Sequence, residues 1–224
     1  MSSYKDLREF IRFLDRKGEL RRIKTPVSSE LEITEIASRV ITEGGPALLF
    51  ENVDGGETPV LINMFGTHQR VAWALGVENV EEITERVRKL LGLTQGPPAG
   101  IVNKIRTVGD LAGLARSRPK IIKNAPCQEI VLTGEDADVS ILPILKCWPL
   151  DAGPYITLPL VISRDPTSGR RNVGTYRMQV YDGKTMGMHW QTHKVGARHY
   201  RDGEERRLER LDVAVALGGD PTTI

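Results

Sequence analysis

The sequence predicts an α+β protein in two parts: a small N-terminal α/β domain, then a β-rich domain of barrel or sandwich type. Three observations predict it. Over the first hundred residues, apolar side chains recur at helical spacing in segments separated by short β-branched runs. Gly96-Pro97-Pro98-Ala99-Gly100 then continues neither a helix nor a strand. Beyond it, strand-like runs follow one another between turn signals. A boundary just after a weak helical stretch, Gly109 to Arg116, divides the chain into residues 1–115 and 116–224.

Tyr4, Leu7, Phe10, Ile11 and Leu14 form the first apolar helical stripe, with Ser2 and Ser3 as N-cap candidates and Gly18 as its stop. Glu19 to Ile23 reads as a strand closed by Pro26. From Glu30, the residues Leu31, Ile33, Ile36, Ala37, Val40 and Ile41 give a second amphipathic helix, ended by Gly44-Gly45-Pro46. Two strands follow, Ala47 to Val53 and Pro59 to Phe65, joined through Asp54-Gly55-Gly56. Helices are expected around Gln69 to Leu75 and from Val80 to Leu91. In the second part, strands are expected at Ile130 to Leu132, Ile141 to Leu145, Ile156 to Ser163 and Val213 to Leu217, besides a hairpin after the turn Asp165-Pro166-Thr167-Ser168-Gly169.

Composition narrows the function classes. The chain has 224 residues, 40% of them hydrophobic, and its 31 basic and 29 acidic residues leave a net charge of +2. That balance argues against nucleic acid as a partner. The basic cluster from Arg198 to Arg210 is interleaved with acids and reads as a solvated helix face. Cys127 and Cys147 are the only cysteines, no secretory peptide is recognisable, and a reducing cytoplasm is the expected setting. No apolar run reaches the roughly 20 residues of a membrane span.

The stretch from Arg171 to Val195 carries the chemistry. Val173 to Tyr181 and Thr185 to Gln191 read as the two arms of a hairpin around Asp182-Gly183. With those two as the centre of a type I′ turn, Tyr181 faces Lys184, Arg177 faces Met188 and Asn172 faces His193. A carboxamide oxygen and an imidazole nitrogen so placed, with side-chain bases roughly 5 Å apart, suit one shared metal ion. Asn172 and Arg177 lie on opposite faces of an unbroken strand, so a bulge at Gly174 or a longer loop at Lys184 and Thr185 would alter this register. The alternative makes Asn172 a turn residue after Ser168-Gly169 and His193 an ordinary surface position.

Absent motifs narrow the field further. The sequence has no GxxxxGK[ST] loop, no strand-linked GxGxxG, no HExxH and no GxSxG elbow. His189 and His193 are spaced for a zinc pair on a helix, but the residues around them read as strand. Trp148, Trp190 and Tyr155 are either walls for a planar cofactor or core residues.

Four blocks in collinear order resemble one family: LEITEIASRVITEGGPALLFENV, NAPCQEIVLTGEDADVSILPILKCWPLDAGPYIT, RRNVGTYRMQV with MHWQTHK, and VAVALGGDPTTI. They look like the UbiD decarboxylases, which include the polyprenyl-hydroxybenzoate carboxy-lyase of ubiquinone synthesis. The resemblance implies non-oxidative, reversible decarboxylation of an aromatic or α,β-unsaturated acid. It also implies prenylated FMN, a Mn2+ or Mg2+ ion and K+, held in a split β-barrel domain of which the second part is the beginning. Asn172 and His193 match the metal ligands. Thr175, Tyr176 and Arg177 match one flavin-contacting segment, His189, Trp190 and Gln191 a second, and Lys194 with Val195 a third. Arg177 matches the arginine of the catalytic network.

The implied chemistry suits these residue types. Cations and backbone N–H groups hold phosphate, hard N and O donors suit manganese or magnesium, and an arginine anchors a carboxylate in a fixed orientation. The cofactor carries the hard step, and a carboxylic acid returns a proton to carbon. Family members continue well past the position of Ile224, where the third metal ligand and the proton donor are expected, so the chain is expected to be a fragment inactive by itself. The further partners implied are a flavin prenyltransferase as cofactor supplier and other copies of the full-length protein. Two other readings stay open: a non-catalytic flavin or phosphate-binding module, and a subunit of a carboxylase complex.

Overall fold

Helix α1 (Leu7–Arg16) begins behind Asp6, whose carboxylate accepts from the Glu9 N–H at 2.8 Å, while Glu9 reaches back to the Lys5 N–H. Asp6 therefore does the capping work expected of Ser2 or Ser3, which lie outside the described residues. The computed structural model describes residues 4–94 and 121–224. The 96–100 break, the stretch from Gly109 to Arg116 and the boundary after residue 115 all fall outside them.

Strand β1 (Leu20–Ile23), helix α2 (Glu32–Thr42) and strand β2 (Ala47–Phe50) form a β-α-β unit, and β3 (Val60–Ile62) returns antiparallel to β2. All four residues of β2 are buried because both faces of this central strand are covered. Leu48 and Phe50 pack with Ile33 and Ala37 of α2 on one face. Ala47 packs with Phe10 and Leu14 of α1 and Ala74 of α3 (His68–Ala74) on the other. Burying a side chain the size of Phe50, which is 0% exposed, contributes roughly 1.5–3 kcal/mol. Helix α4 (Glu81–Thr94) follows. Every element expected between Tyr4 and Leu91 is present, with its ends shifted by a few residues.

The second part departs further from expectation. Ile130 to Leu132 and Ile141 to Leu145 form no strands; the chain there makes short 3-10 turns at Pro126–Gln128, Gly134–Asp136 and Val139–Ile141. Strand-like composition cannot make a strand without a pairing partner, and Ile130 and Val131 instead stand 80% and 70% exposed. The observed strands are β4 (Tyr155–Ile156), β5 (Leu160–Arg164), β6 (Arg171–Thr175), β7 (Met178–Val180), β8 (Met186–Met188) and β9 (Val213–Ala216), with helix α5 (Val195–Glu205) before the last. They form two three-stranded sheets, β4-β7-β8 and β6-β5-β9. The sheets share one core of Ile156 and Met178 from the first, Val161 from the second, and Tyr176 between them. No barrel closes among the described residues.

The two parts touch. Lys146 pairs with Glu30 through its ammonium at 2.7 Å, its N–H donates to Ser29, and Leu145 packs on the core beside α2. No helix among the described residues is long and apolar enough to cross a membrane.

Candidate functional site

Strands β5 and β6 are joined by a turn that Asp165 organises. Its carboxylate accepts from the N–H groups of Thr167 at 2.8 Å and Ser168 at 3.0 Å, and Gly169 takes the left-handed backbone, φ +69°, that closes the turn. The Ser168 and Thr167 N–H groups hold this carboxyl below its ordinary range. The resulting register sets Arg164 opposite Arg171, Ser163 opposite Asn172 and Leu160 opposite Thr175.

Helix α5 lies against this hairpin. Ser163 Oγ and His199 Nδ1 meet at 3.0 Å, and both residues are only 1% exposed. Arg198 reaches Asp165 at 3.5 Å, and Arg206 donates to Thr167 Oγ1 at 3.1 Å. Between the turn and the first turns of α5 lies a cleft of about 420 Å³, lined by Asp165, Ser168, Arg170, Arg171, Asn172, Val195, Arg198 and His199. Its wall is cationic, with three guanidinium groups beside one carboxylate.

Tyr176 stands where the chain leaves one sheet for the other. Its ring is 5% exposed and crosses Trp190 edge-on at 6.2 Å between centroids. The phenol oxygen accepts from the Gly196 N–H at 3.0 Å and from Asn172 Nδ2 at 3.3 Å. Glycines make room for it: a Cβ on Gly174 would come within 2.8 Å of the ring, and one on Gly196 within 3.1 Å of the ring and 3.0 Å of Trp190 Nε1. Gly174 therefore serves close packing. The bulge expected there is absent, and β6 pairs regularly through it.

The hairpin around Asp182-Gly183 forms with the longer loop through Lys184, which sets it one residue out of the two-residue-turn register. Met178, rather than Arg177, pairs with Met188, and the His189 N–H donates to the Arg177 carbonyl at 3.0 Å. The cause is the Asp182 carboxylate, which accepts from both Lys184 and Thr185 N–H groups and lengthens the two-residue turn. The pairing of Asn172 with His193 does not occur. Strand β6 belongs to the other sheet, so Asn172 faces Ser163, while His193 is exposed two residues before α5. His189 and His193 share no helix.

The remaining sequence-selected residues divide between these elements. Asn172 and Val195 share the cleft. Thr175 ends β6, and Lys194 is the N-cap of α5 without a side-chain cap bond. Arg177 is exposed and lies over the Tyr155 ring at 4.6 Å; it makes no ion pair among the described residues. Trp190 contacts Tyr176 and Tyr200, its Nε1 buried without a partner among the described residues, and Gln191 is exposed. Trp148 is 60% exposed. Sequence reasoning missed Arg170, Arg171, Arg198, Ser163 and His199. The Arg170-Arg171 pair directly after a glycine turn was the available signal.

The guanidinium groups of the cleft fit a phosphate. Asn172 Nδ2 is engaged by Tyr176, which leaves its carbonyl oxygen as the available donor at the cleft. His193, the other expected ligand, does not line the cleft, and manganese or magnesium prefers carbonyl, carboxylate and water oxygens to imidazole. Among the described residues no three His, Cys, Asp or Glu side chains cluster as a complete metal site.

Comparisons with known proteins identify the family. The model of the 3-octaprenyl-4-hydroxybenzoate carboxy-lyase N-terminal domain matches residues 11–111, and that of the carboxy-lyase Rift-related domain matches residues 120–224. A curated, uncharacterized protein of Archaeoglobus fulgidus is 49% identical over 222 residues, 99% of this chain and 45% of its own length. The UbiD-class enzyme HmfF of Pelotomaculum thermopropionicum, solved with FMN, is 30% identical with a TM-score of 0.74, covering 96% of this chain and 43% of that one. An evolved dimeric form of it, solved with prFMN, has a TM-score of 0.76 at 30% identity and covers 97% and 45%. The vanillic acid decarboxylase of Sedimentibacter hydroxybenzoicus, in closed form, is 26% identical with a TM-score of 0.78, covering 99% and 44%. The chain thus spans about half the length of the relatives it matches.

Proposed function

Because this chain belongs to the UbiD carboxy-lyase family, we propose that it forms the phosphate and metal end of a prenylated-FMN site in a non-oxidative decarboxylase. The observation that carries this reading is the cleft that Asn172 and Val195 line together with Arg170, Arg171 and Arg198. Asn172 and His193 hold Mn2+ or Mg2+, with K+ as a second cation. Thr175, Tyr176, Arg177, His189, Trp190, Gln191, Lys194 and Val195 form the flavin-facing wall. The buried Trp190 N–H, which lacks an acceptor among the described residues, gains one from a bound ligand.

Arg177 is the catalytic arginine of this reading. Exposed and already stacked on Tyr155, it orients a substrate carboxylate in bidentate fashion. When bound, the modified flavin supplies the electron sink that loss of carbon dioxide requires. The substrate is an aromatic or α,β-unsaturated acid, in keeping with a hydroxybenzoate carboxy-lyase model. The prenyl group comes from a flavin prenyltransferase, the setting is the cytoplasm, and the full-length protein is a homo-oligomer. Residues 1–115 and 116–224 are its two domains here, and the two small sheets are the beginning of a split barrel.

Co-expression of the full-length protein with a flavin prenyltransferase tests this. A flavin absorbance and carbon dioxide release from an aromatic or enoic acid are expected, both lost in Asn172→Ala. Retention of cofactor by that variant contradicts the reading. A second reading is a binding module without chemistry of its own. Tight FMN binding that ignores Mn2+ would select it.

A further inference from the structure

The cleft between the Asp165 turn and α5 sets three guanidinium groups, of Arg170, Arg171 and Arg198, against one carboxylate, that of Asp165. Arg170 and Arg171 make no ion pair among the described residues. Arg198 is held loosely: its Nη2 lies 3.5 Å from Asp165 Oδ2 and its Nε 3.9 Å from Asp202 Oδ2, and its side chain is 55% exposed. A tight charge-assisted bond would measure roughly 2.7–2.9 Å. Asp165 is the fixed member of the pair. Its side chain is only 14% exposed and accepts from the Ser168 and Thr167 N–H groups at 3.0 and 2.8 Å. Those bonds hold its carboxyl below the ordinary range, so it stays charged at neutral pH. Arg198 closes the first turn of α5, which has no acidic residue and no side-chain bond at its cap. A cation there opposes the helix dipole, and Asp165 supplies from another element the negative charge that α5 lacks.

We propose that Asp165 is the resident counter-anion of this cleft and Arg198 a clamp with two positions, on Asp165 when the cleft is empty and on a phosphate when it is filled. The inference rests on the reading of the cleft as a phosphate site, and it needs no metal ion. Three guanidinium groups against one carboxylate leave a surplus of two positive charges on the wall. A phosphate monoester, with a charge of about −1.5 to −2 at pH 7, matches that surplus. The entering phosphate is drawn by the arginines and repelled by a carboxylate that its N–H donors keep from moving away. Arg198, the loosely held partner, changes sides, because a guanidinium binds phosphate through two parallel N–H bonds. Asp165 thereby weakens the hold of the cleft on its ligand, and does so in proportion to the charge of the anion.

The test is the affinity of the purified protein, without added metal, for methyl phosphate, a dianion at pH 8, and dimethyl phosphate, a monoanion, followed by NMR titration. Asp165→Asn keeps a carbonyl oxygen for the Ser168 and Thr167 N–H groups and loses only the charge. That variant should bind methyl phosphate about fivefold more tightly and dimethyl phosphate about twofold, since the same potential acts on half the charge. In an Arg198→Ala background, with no clamp to release, the gain for methyl phosphate should shrink to about twofold. If Asp165 merely shapes the turn, Asp165→Asn leaves both affinities unchanged or lowers them, and that result overturns the proposal. An equal gain with and without Arg198 overturns the clamp. The underlying reading is tested separately by Arg171→Ala. If that variant binds methyl phosphate and FMN as well as the unaltered protein does, the phosphate reading fails and the proposal with it. If it binds them more weakly and Asp165→Asn gains nothing, the proposal alone fails. The unaltered protein gives a check that needs no variant: the Arg198 Nε–H and Asp165 carboxyl-carbon resonances should both shift on saturation with methyl phosphate. An Asp165 resonance that stays still overturns the exchange of partners.

Discussion

Helix α5 contains two buried glycines whose replacement by alanine should have opposite effects. At Gly203, an added Cβ meets only Leu208 Cδ1 at 3.9 Å, an ordinary contact. At Gly196 it meets Trp190 Nε1 at 3.0 Å and Cε2 at 3.1 Å, and Tyr176 Cζ at 3.1 Å. Both substitutions gain helix propensity worth about 1 kcal/mol. Only Gly196→Ala must also push two packed rings apart by a few tenths of an ångström, an overpacking that costs about 1–3 kcal/mol. The propensity gain cancels between the two variants, so their stabilities should differ by that overpacking cost. For a chain of this size each kcal/mol moves the midpoint by about 2–4 °C, which predicts a gap of about 2–12 °C in Tm with Gly203→Ala the higher. Urea unfolding should show the same order in midpoint at unchanged slope. Equal stability of the two variants would refute the packing of α5 on Tyr176 and Trp190.

Three further outcomes follow from the same geometry. Ser163→Ala leaves His199 Nδ1 buried without its partner and should cost about 1–3 kcal/mol in urea unfolding; a loss near zero would mean that this contact does not hold α5 to β5. The Asp165 carboxyl is held below its ordinary range chiefly by the Ser168 and Thr167 N–H groups. Its contribution is therefore fully present above about pH 4 and is lost as the pH falls through its lowered folded value, so Asp165→Asn should flatten the acid limb of a stability profile. An unchanged limb would contradict this. Arg171→Ala removes one cation from the cleft wall and should weaken FMN binding roughly fivefold at low salt, about 1 kcal/mol, with a smaller loss at high salt. An effect independent of salt would argue against a phosphate in the cleft.

Much of the fold was legible because it is encoded locally. The stripes Phe10 and Leu14, and Ile33 and Ala37, are buried as their periodicity requires. The turn at Asp165 follows from a carboxylate placed to bind the next N–H groups. The hairpin at Asp182-Gly183 was also readable, but its register hinged on a side chain capturing two N–H groups, a choice that composition does not reveal.

The site was harder to read because its parts come together through distant pairing. Asn172 was singled out, yet its neighbour across the sheet is Ser163 rather than His193, because β6 pairs with β5 and the chain changes sheets at Tyr176 and Arg177. No local signal marks that switch. Gly174 and Gly196 offered an indirect one, since each is a place where a ring approaches the backbone. Arg198 read as part of a solvated helix face and is exposed as expected, and it also borders the cleft, because packing of His199 against Ser163 turns that helix toward the Asp165 turn.

The central claim is that Asn172 and the start of α5 receive a flavin phosphate together with a divalent ion. Phosphorus NMR of FMN added to the protein with stoichiometric Mn2+ tests it most directly, because a paramagnetic ion beside the phosphate broadens that resonance. Broadening is expected that depends on the protein and disappears in Asn172→Ala. A phosphorus line equally broad in that variant, or equally sharp with and without the protein, would contradict the account.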